Sequence, residues 1–382
     1  MSELLTTSAP DGAPAAVGVV DAFVHHQWNT QLDFYEYLPD GWREYLGRPG
    51  TIRGGRGMAA ALPKPDALPP GGMWLSDSGA PDGGVPGSDL GTLREQLLER
   101  QGISRAVLGF DGVMNAPTYP NPGYAHDVVR AANDWTVGEW LSGQDDRLYG
   151  LGLVPNHLPE LAAAEIRRIG AHPRIVGLLM GGNGLSKFFG HPLYHPIYDA
   201  AADMDLPIVI HVGGDSPPNT LSHATAGGLP STFAEHYALR AQSVQSHLLS
   251  IMVQGVLERH RNLRVMIVGA GVTWIPGLLW RSDSDFKQSA PREAPWMKRS
   301  PSEQFLEQVR VSTYSNRTAP AAEALRRCLS VFPGIENVIT FASGYPRWDA
   351  DLAEHVAGYF PVQWRERVMG ANAQDFYRWP TS

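Results

Sequence analysis

Short apolar runs recur along the chain and predict eight β-strands. The runs cover residues 18–26, 104–112, 148–155, 174–182, 206–215, 263–271, 309–314 and 337–346. They are rich in β-branched residues and are apolar at consecutive positions, as is typical of strands buried on both faces of a parallel sheet. Most of the runs end in Gly, Pro, Asp or His.

Segments with helical periodicity separate most of these runs. They cover 125–143, 160–171, 195–205, 233–258 and 321–329. Alternating strands and helices predict βαβ units, and eight such units predict a (β/α)₈ TIM barrel with its active site at the C-terminal strand ends. An open doubly wound sheet is the alternative, but no Gly-x-Gly-x-x-Gly fingerprint follows any strand.

Two insertions interrupt the pattern of this single predicted domain, which covers 18–382 after a tail at 1–17. The segment 47–91 follows the first strand, is dense in Gly and Pro, and has no periodicity. Such a segment cannot build a core of its own. We expect either a lid over the pocket mouth or a surface loop. The second insertion, 215–232, follows the fifth strand.

The charge balance restricts the partners of the protein. The net charge of −8 argues against nucleic acid and against anionic membranes, because both require a basic surface. No apolar run is long enough to span a membrane, and the first residues do not resemble a signal peptide. The single cysteine, Cys328, excludes an intramolecular disulfide, and we expect it to be buried on a helix. These features fit a cytoplasmic protein that acts on a small molecule.

Several longer motifs carry a resemblance to a known family. They include "VVDAFVHH", "GHPLYHPIYDAAADMDLPIVIH", "SGYPRWD" and "MGANAQDFY". With these motifs the chain resembles the amidohydrolase-related family that includes aminocarboxymuconate-semialdehyde decarboxylase and the benzoate-type decarboxylases. The resemblance implies a (β/α)₈ barrel and a possible homo-oligomer. It also implies a divalent metal held by residues at the ends of strands 1, 5, 6 and 8.

The metal ligands that the resemblance implies are incomplete in this chain. His25 and His211 stand at two of the ligand positions, but Phe23, Gly269 and Gly344 replace the others. A catalytic zinc needs about three protein ligands, and Phe and Gly supply no donor atom. We therefore predict that no metal cofactor is bound. We also expect the glycines to leave space in which a substrate can lie.

Other polar residues near the predicted strand ends are candidates for the site. Asp215 either orients His211 or caps its own loop. His236, near the start of the helix that follows, is a further candidate to face the pocket. Arg347 either binds a substrate carboxylate or pairs with Asp349. His26 should face away from the barrel interior, because neighbouring residues of a strand point to opposite faces. The predicted catalytic residues are His25, His211, Asp215 and His236, and the predicted substrate-binding residues are Phe23, Gly269, Thr313, Gly344, Tyr345 and Arg347.

Three functional hypotheses follow from this pattern. The first is a metal-independent enzyme in which histidines serve as acid and base for decarboxylation, elimination or cyclisation of an organic, aromatic or natural-product substrate. The second is a hydrolase or non-oxidative decarboxylase with zinc or manganese, in which Asp215 or His236 completes an atypical site. The third is a non-catalytic barrel that binds a partner.

Overall fold

The structure of the protein is a computed structural model. It describes residues 18–30, 33–46, 74–81, 83–110, 112–143, 145–182, 184–213, 230–315 and 322–379. The predicted tail at 1–17, most of the 47–91 insertion and the predicted site residue Asp215 lie outside these residues.

Eight parallel strands form the centre of the molecule, as the sequence predicts. They pair in the order β1 to β8. The sheet closes through hydrogen bonds between β1 and the segment that continues β8, in which Ala22 N donates to Phe341 O (3.0 Å) and His25 N donates to Tyr345 O (2.8 Å). The (β/α)₈ barrel is therefore confirmed. The strands are β1 (Val19–His25), β2 (Ile103–Gly109), β3 (Leu148–Leu153), β4 (Ile175–Gly181), β5 (Ile208–His211), β6 (Val265–Val268), β7 (Val309–Ser312) and β8 (Ile339–Thr340).

Helices surround the barrel between the strands. The predicted helix over 233–258 is divided into three helices in the structure, with junctions at Arg240 and at Gly255, which has a φ of +79°. The helices are α1 (Asp40–Leu46), α2 (Leu90–Leu93), α3 (Pro122–Trp135), α4 (Pro159–Ile169), α5 (His195–Asp203), α6 (Phe233–Leu239), α7 (Ala241–Val253), α8 (Val256–Arg259), α9 (Ile275–Glu293), α10 (Pro301–Gln308), α11 (Ala322–Leu329), α12 (Ala353–Tyr359), α13 (Val362–Glu366) and α14 (Asn372–Tyr377). One turn of π-helix extends α3 over Thr136–Trp140.

His25, the last residue of β1, and His26, which follows it, point to opposite sides, as the alternation of a strand predicts. The His26 ring stacks on Trp135 at 5.5 Å between centroids, and its Nε2 lies 3.0 Å from Thr136 Oγ1, both on the helical layer. The His25 ring instead contacts Phe23 and His211. The pairing of β1 with β2 shifts register between Asp21 and Val24, which marks a bulge in this strand.

The described end of the first insertion lies against the C-terminal ends of β1 and β8. Leu75 N donates to Pro346 O (3.0 Å), and Gln27 N donates to Gly87 O (2.8 Å). Trp74 forms an isolated antiparallel bridge with Arg347. This part of the chain is therefore at the barrel mouth, where a lid would have to be, and its action as a lid remains a prediction.

The surface differs from the sequence-based expectation at one residue. Cys328 lies on α11 as expected, but it is exposed rather than buried. The buried face of this short helix is formed by Leu325 and Leu329, and residue 328 lies off that face. Among the described residues, no helix combines the length and apolarity that crossing a bilayer would require.

Candidate functional site

Three rings meet at the C-terminal ends of β1 and β5. The centroids of His25 and His211 are 5.2 Å apart in an edge-to-face arrangement. Phe23 lies 4.9 Å from His25 and 5.0 Å from His211, and it is stacked on the latter. Phe23 and His25 are fully buried, and His211 is 7% exposed. The two histidines that the sequence selects are therefore brought together beneath the barrel mouth.

A fourth ring, Tyr314, completes this aromatic cluster from the end of β7. Its centroid is 5.8 Å from that of His25 and 6.3 Å from that of His211. Gly344 has a φ of +67°, and a Cβ added there would lie 2.1 Å from the Tyr314 ring. The expectation that the glycines leave space for a substrate is wrong at Gly344, because the Tyr314 ring fills that space.

Gly269, at the end of β6, is also closely surrounded. It has a φ of +82°, and a Cβ there would lie 2.6 Å from Val212 Cγ2 and 3.5 Å from His211 Nε2. A side chain at this position would have to displace Val212. Glycine suits this position, because its φ is positive and no Cβ has to be accommodated against Val212.

A buried carboxylate, Asp349, anchors the fourth ring. Its Oδ1 accepts a hydrogen bond from the Tyr314 hydroxyl (3.1 Å), and its Oδ2 accepts from the Tyr237 hydroxyl (3.0 Å). Arg240 Nη2 lies 3.1 Å from the same Oδ2, and Ser315 Oγ donates to it at 3.3 Å. Burial raises the pKa of Tyr314 well above its usual value, so this phenol keeps its proton at neutral pH.

The predicted pairing of Arg347 with Asp349 is replaced by another pair. Asp349 is 2% exposed, and among the described ion pairs its cation is Arg240 from the junction of α6 and α7. The Arg347 guanidinium lies 4.5 Å above the Trp74 ring. The backbone of Arg347 is bridged to that of Trp74, which places the Arg347 side chain beside the insertion rather than beside Asp349.

Two further predicted binding residues use their hydroxyl groups inside the protein. Thr313 Oγ1 accepts a hydrogen bond from Ala342 N (3.2 Å), which links the ends of β7 and β8. The Tyr345 hydroxyl donates to Gln96 Oε1 (2.8 Å), and burial raises its pKa. These contacts support the strand ends, and a direct role with a substrate remains a prediction.

His236 and its neighbours lie on α6, beside the mouth. The described ring contact of His236 is with Phe233, at 6.4 Å, so the structure does not bring it to His25 or His211. Glu235 forms a capping box with Thr232 at the start of the same helix. His247, deeper in α7, is satisfied by Phe189 N (3.2 Å) and Gly182 O (3.2 Å), as expected of a structural histidine.

Among the described residues at this site, two imidazoles, those of His25 and His211, are suited to bind a divalent cation. Neutral imidazole is a common metal ligand, and rings that meet edge to face 5.2 Å apart are close enough to share one ion. Within the described ranges, no group of three His, Cys, Asp or Glu side chains is arranged to hold a metal. His25 and His211 are thus suited to hold an ion that takes further donors from elsewhere.

Sequence reasoning missed Tyr314 and Arg240. Tyr314 follows Thr313 directly, and the signal for it was the pair of glycines at the neighbouring strand ends, which make room for a large side chain. Arg240 lay inside what looked like one continuous helix, so no pattern marked it as a residue at the mouth.

Comparison with known proteins places this geometry in context. A family model described as Amidohydrolase matches residues 25–379. Gamma-resorcylate decarboxylase from Rhodococcus jostii is 29% identical over 231 residues, which are 55% of this chain and 66% of that protein. The match therefore spans slightly less than two thirds of that relative.

Two solved structures have the same fold. The 5-carboxyvanillate decarboxylase of Novosphingobium aromaticivorans, in complex with manganese and 4-hydroxy-3-methoxy-5-nitrobenzoic acid, has a TM-score of 0.66 and 19% identity, covering 94% of this chain and 96% of that chain. A dihydroxybenzoic acid decarboxylase from a Polaromonas species, with manganese and 2-nitroresorcinol, has a TM-score of 0.62 and 20% identity, covering 95% and 97%.

These relatives correct one expectation. From the sequence we predict that no metal cofactor is bound, because three ligand positions hold Phe and Gly. The solved decarboxylases of this fold contain manganese, so the prediction of no cofactor is contradicted.

Proposed function

We propose, because this chain belongs to the amidohydrolase family, that it is a metal-dependent, non-oxidative decarboxylase of aromatic carboxylic acids. The observation that carries the proposal is the pair of buried imidazoles, His25 and His211, that meet edge to face at the ends of β1 and β5. The 29% identity to a gamma-resorcylate decarboxylase supports this choice of reaction over hydrolysis.

His25 and His211 would hold the divalent cation, with manganese as the first candidate because the solved relatives contain it. We propose Asp215, four residues beyond His211, as a further ligand, since a carboxylate suits manganese and would balance its charge. When bound, such an ion acts as a Lewis acid that polarises an oxygen of the substrate.

The proposed reaction breaks one carbon–carbon bond. The bond between the ring carbon and the carboxylate carbon is cleaved, CO₂ leaves, and the electron pair stays on the ring carbon, which then takes up a proton. His236, on α6 beside the mouth, is our candidate for the proton donor, because imidazole is the side chain that most often transfers protons in enzymes. Its neighbour Tyr237 ties α6 to the mouth through Asp349 (3.0 Å).

Burial of the aromatic cluster supports this chemistry. Phe23 and His25 are fully buried, and Tyr314 is 4% exposed. A site that excludes water favours the overall change from a carboxylate and a proton to neutral CO₂ and a protonated ring, because the carboxylate loses more solvation than these products do.

The test is a decarboxylation assay on the full chain. Protein supplied with manganese is incubated with 2,6-dihydroxybenzoate or 5-carboxyvanillate, and released CO₂ and the product phenol are measured. We expect turnover of at least one acid, about one manganese ion per chain by elemental analysis, and loss of both metal and activity in His211→Ala. The matched control is His355→Ala, since His355 is 64% exposed on α12.

Two results would count against the proposal. No release of CO₂ from either acid by the manganese-loaded protein would remove the proposed reaction. Turnover that persists in His25→Ala and His211→Ala, with unchanged metal content, would show that these two imidazoles do not hold the ion.

A further inference from the structure

Arg240 places a positive charge at the barrel mouth. It lies at the junction between α6 and α7, and its guanidinium is stacked 4.1 Å from the Tyr237 ring centroid. Its Nη2 donates to Asp349 Oδ2 (3.1 Å) and to Ser315 Oγ. The side chain is 17% exposed, so the group is held firmly without being sealed from the mouth.

Two hydrogen bonds connect this guanidinium to the aromatic cluster. Asp349 receives Arg240 on Oδ2 and the Tyr314 hydroxyl on Oδ1, at 3.1 Å each. The Tyr314 ring in turn contacts both His25 and His211. The positive charge is therefore linked to the imidazoles through Asp349 and Tyr314, on the side of the barrel formed by β7 and β8.

Arg240 uses only some of its N–H groups in hydrogen bonds to described residues. A guanidinium has five N–H groups in a planar fork that matches the two oxygens of a carboxylate. The hydrogen bonds of Arg240 to described residues all start from Nη2. Its Nε–H and the N–H groups of its Nη1 are therefore not used by any described residue, while Asp349 is satisfied by three neutral hydroxyl donors in addition to Arg240.

We propose that Arg240 binds the carboxylate of the substrate through these unused N–H groups, and so determines that the site accepts acids. The inference rests on the proposed function, since it takes an aromatic carboxylate as the ligand. It differs from the expectation drawn from the sequence, which gave this role to Arg347. That guanidinium stacks on Trp74 of the insertion, whereas Arg240 is bonded to the residues that hold the aromatic cluster.

The experiment compares a ligand that carries the carboxylate with one that lacks it. The manganese-loaded protein is assayed for KM and kcat with 2,6-dihydroxybenzoate and for inhibition by resorcinol, the corresponding phenol without the carboxylate. The variants are Arg240→Lys, which keeps the charge beside Asp349 but loses the fork, and the double variant Arg240→Gln/Asp349→Asn, which leaves no unpaired buried carboxylate. Arg281→Gln, with a side chain 81% exposed on α9, is the matched control.

We expect both Arg240 variants to raise the KM for the acid about ten- to a hundredfold, as the loss of charge-assisted hydrogen bonds predicts. The inhibition constant for resorcinol should stay within about twofold, because a neutral phenol does not use the fork. A general disturbance of the mouth would weaken both ligands together. Arg281→Gln should leave both constants unchanged.

The outcomes separate this inference from the proposed function. An unchanged KM in both variants, equal weakening of both ligands, or a raised KM in Arg347→Gln alone would overturn the role of Arg240 while the decarboxylase remains. If the wild-type protein turns over no acid, the proposed function fails. Calorimetry with 2,6-dihydroxybenzoate then tests the inference alone, and equal binding by wild type and variants, or no binding at all, overturns it.

Discussion

The contact between Gly344 and Tyr314 gives a sharp prediction about stability. Gly344→Ala should destabilise the protein, because the new Cβ would lie between 2.1 and 2.5 Å from three atoms of the Tyr314 ring. Separations under 3 Å are not sustained by real side chains, so the ring or the backbone must move. The ring cannot turn away without disturbing the bond from its hydroxyl to Asp349 (3.1 Å).

Two effects set the size of the loss. An alanine at a φ of +67° costs about 1–2 kcal/mol relative to glycine, because its Cβ crowds the neighbouring carbonyl. Forcing a methyl group into a closely packed site costs about 1–3 kcal/mol. The free energy of unfolding should therefore fall by about 2–5 kcal/mol, a large part of the about 5–15 kcal/mol that is typical of a folded domain.

Urea denaturation followed by tryptophan fluorescence measures this change, and the eleven tryptophans of the chain supply the signal. The matched control is Gly277→Ala on α9, where a Cβ would meet no atom within 4 Å. That variant should be neutral or more stable by up to about 1 kcal/mol, since alanine favours a helix over glycine.

A double variant isolates the ring contact from the backbone effect. In the background of Tyr314→Ala, the substitution Gly344→Ala should cost about 1–3 kcal/mol less than it does alone, because the steric part disappears while the φ remains. Equal costs in both backgrounds would show that the ring is not the obstacle. A Gly344→Ala protein as stable as the wild type would refute the reasoning as a whole.

Three further predictions concern buried polar groups elsewhere in the barrel. Burial raises the pKa of Asp21 to about 7, so its protonated carboxyl favours folding below about pH 4, and this contribution is lost as the pH rises toward 7. Asp21→Asn should therefore be more stable than the wild type at pH 8, as measured by urea denaturation. An unchanged or reduced stability of this variant at pH 8 would contradict the account. Burial lowers the pKa of His247 to about 4, so the free energy of unfolding should fall as the pH drops from about 6.5 to 4. At pH 5 this loss should be smaller by about 2 kcal/mol in His247→Gln than in the wild type. An identical dependence of stability on pH in the two proteins would speak against this prediction. Asn133 accepts a hydrogen bond from Leu153 N (2.7 Å) and donates to Leu153 O (3.1 Å) and Glu165 Oε1 (2.8 Å). Asn133→Ala should therefore lower the melting temperature by several degrees. The control Asn262→Ala, at an exposed amide, should change the melting temperature much less.

The barrel could be predicted from the sequence because its signal is local and repeated. Each strand is a short apolar run, and eight of them alternate with helical segments, so an error in one element does not alter the architecture. The predicted ends were less accurate where turns form inside a helical pattern. The segment 233–258 reads as one helix, and nothing in its periodicity marks the breaks at Arg240 and Gly255.

The site could be predicted only for residues that lie on the strands themselves. The approach of His25 to His211 follows from their positions at two strand ends of a closed barrel. The filling of the Gly344 space by Tyr314 depends on a rotamer and on an anchor, Asp349, that come from different loops. Arg240 reaches this anchor across a sequence separation of 109 residues, which no local pattern encodes.

The single carboxylate of Asp349 has a consequence for how the mouth forms. Its donors come from sequence separations of 112, 109, 35 and 34 residues, so the complete set can form only after the segments that follow β5, β7 and β8 have packed together. Backbone amides near residues 237–240, 314–315 and 349 should therefore gain protection against hydrogen exchange together and late in folding. Their exchange in the native protein should follow the opening of the β5 to β8 side of the barrel rather than fraying of a single loop.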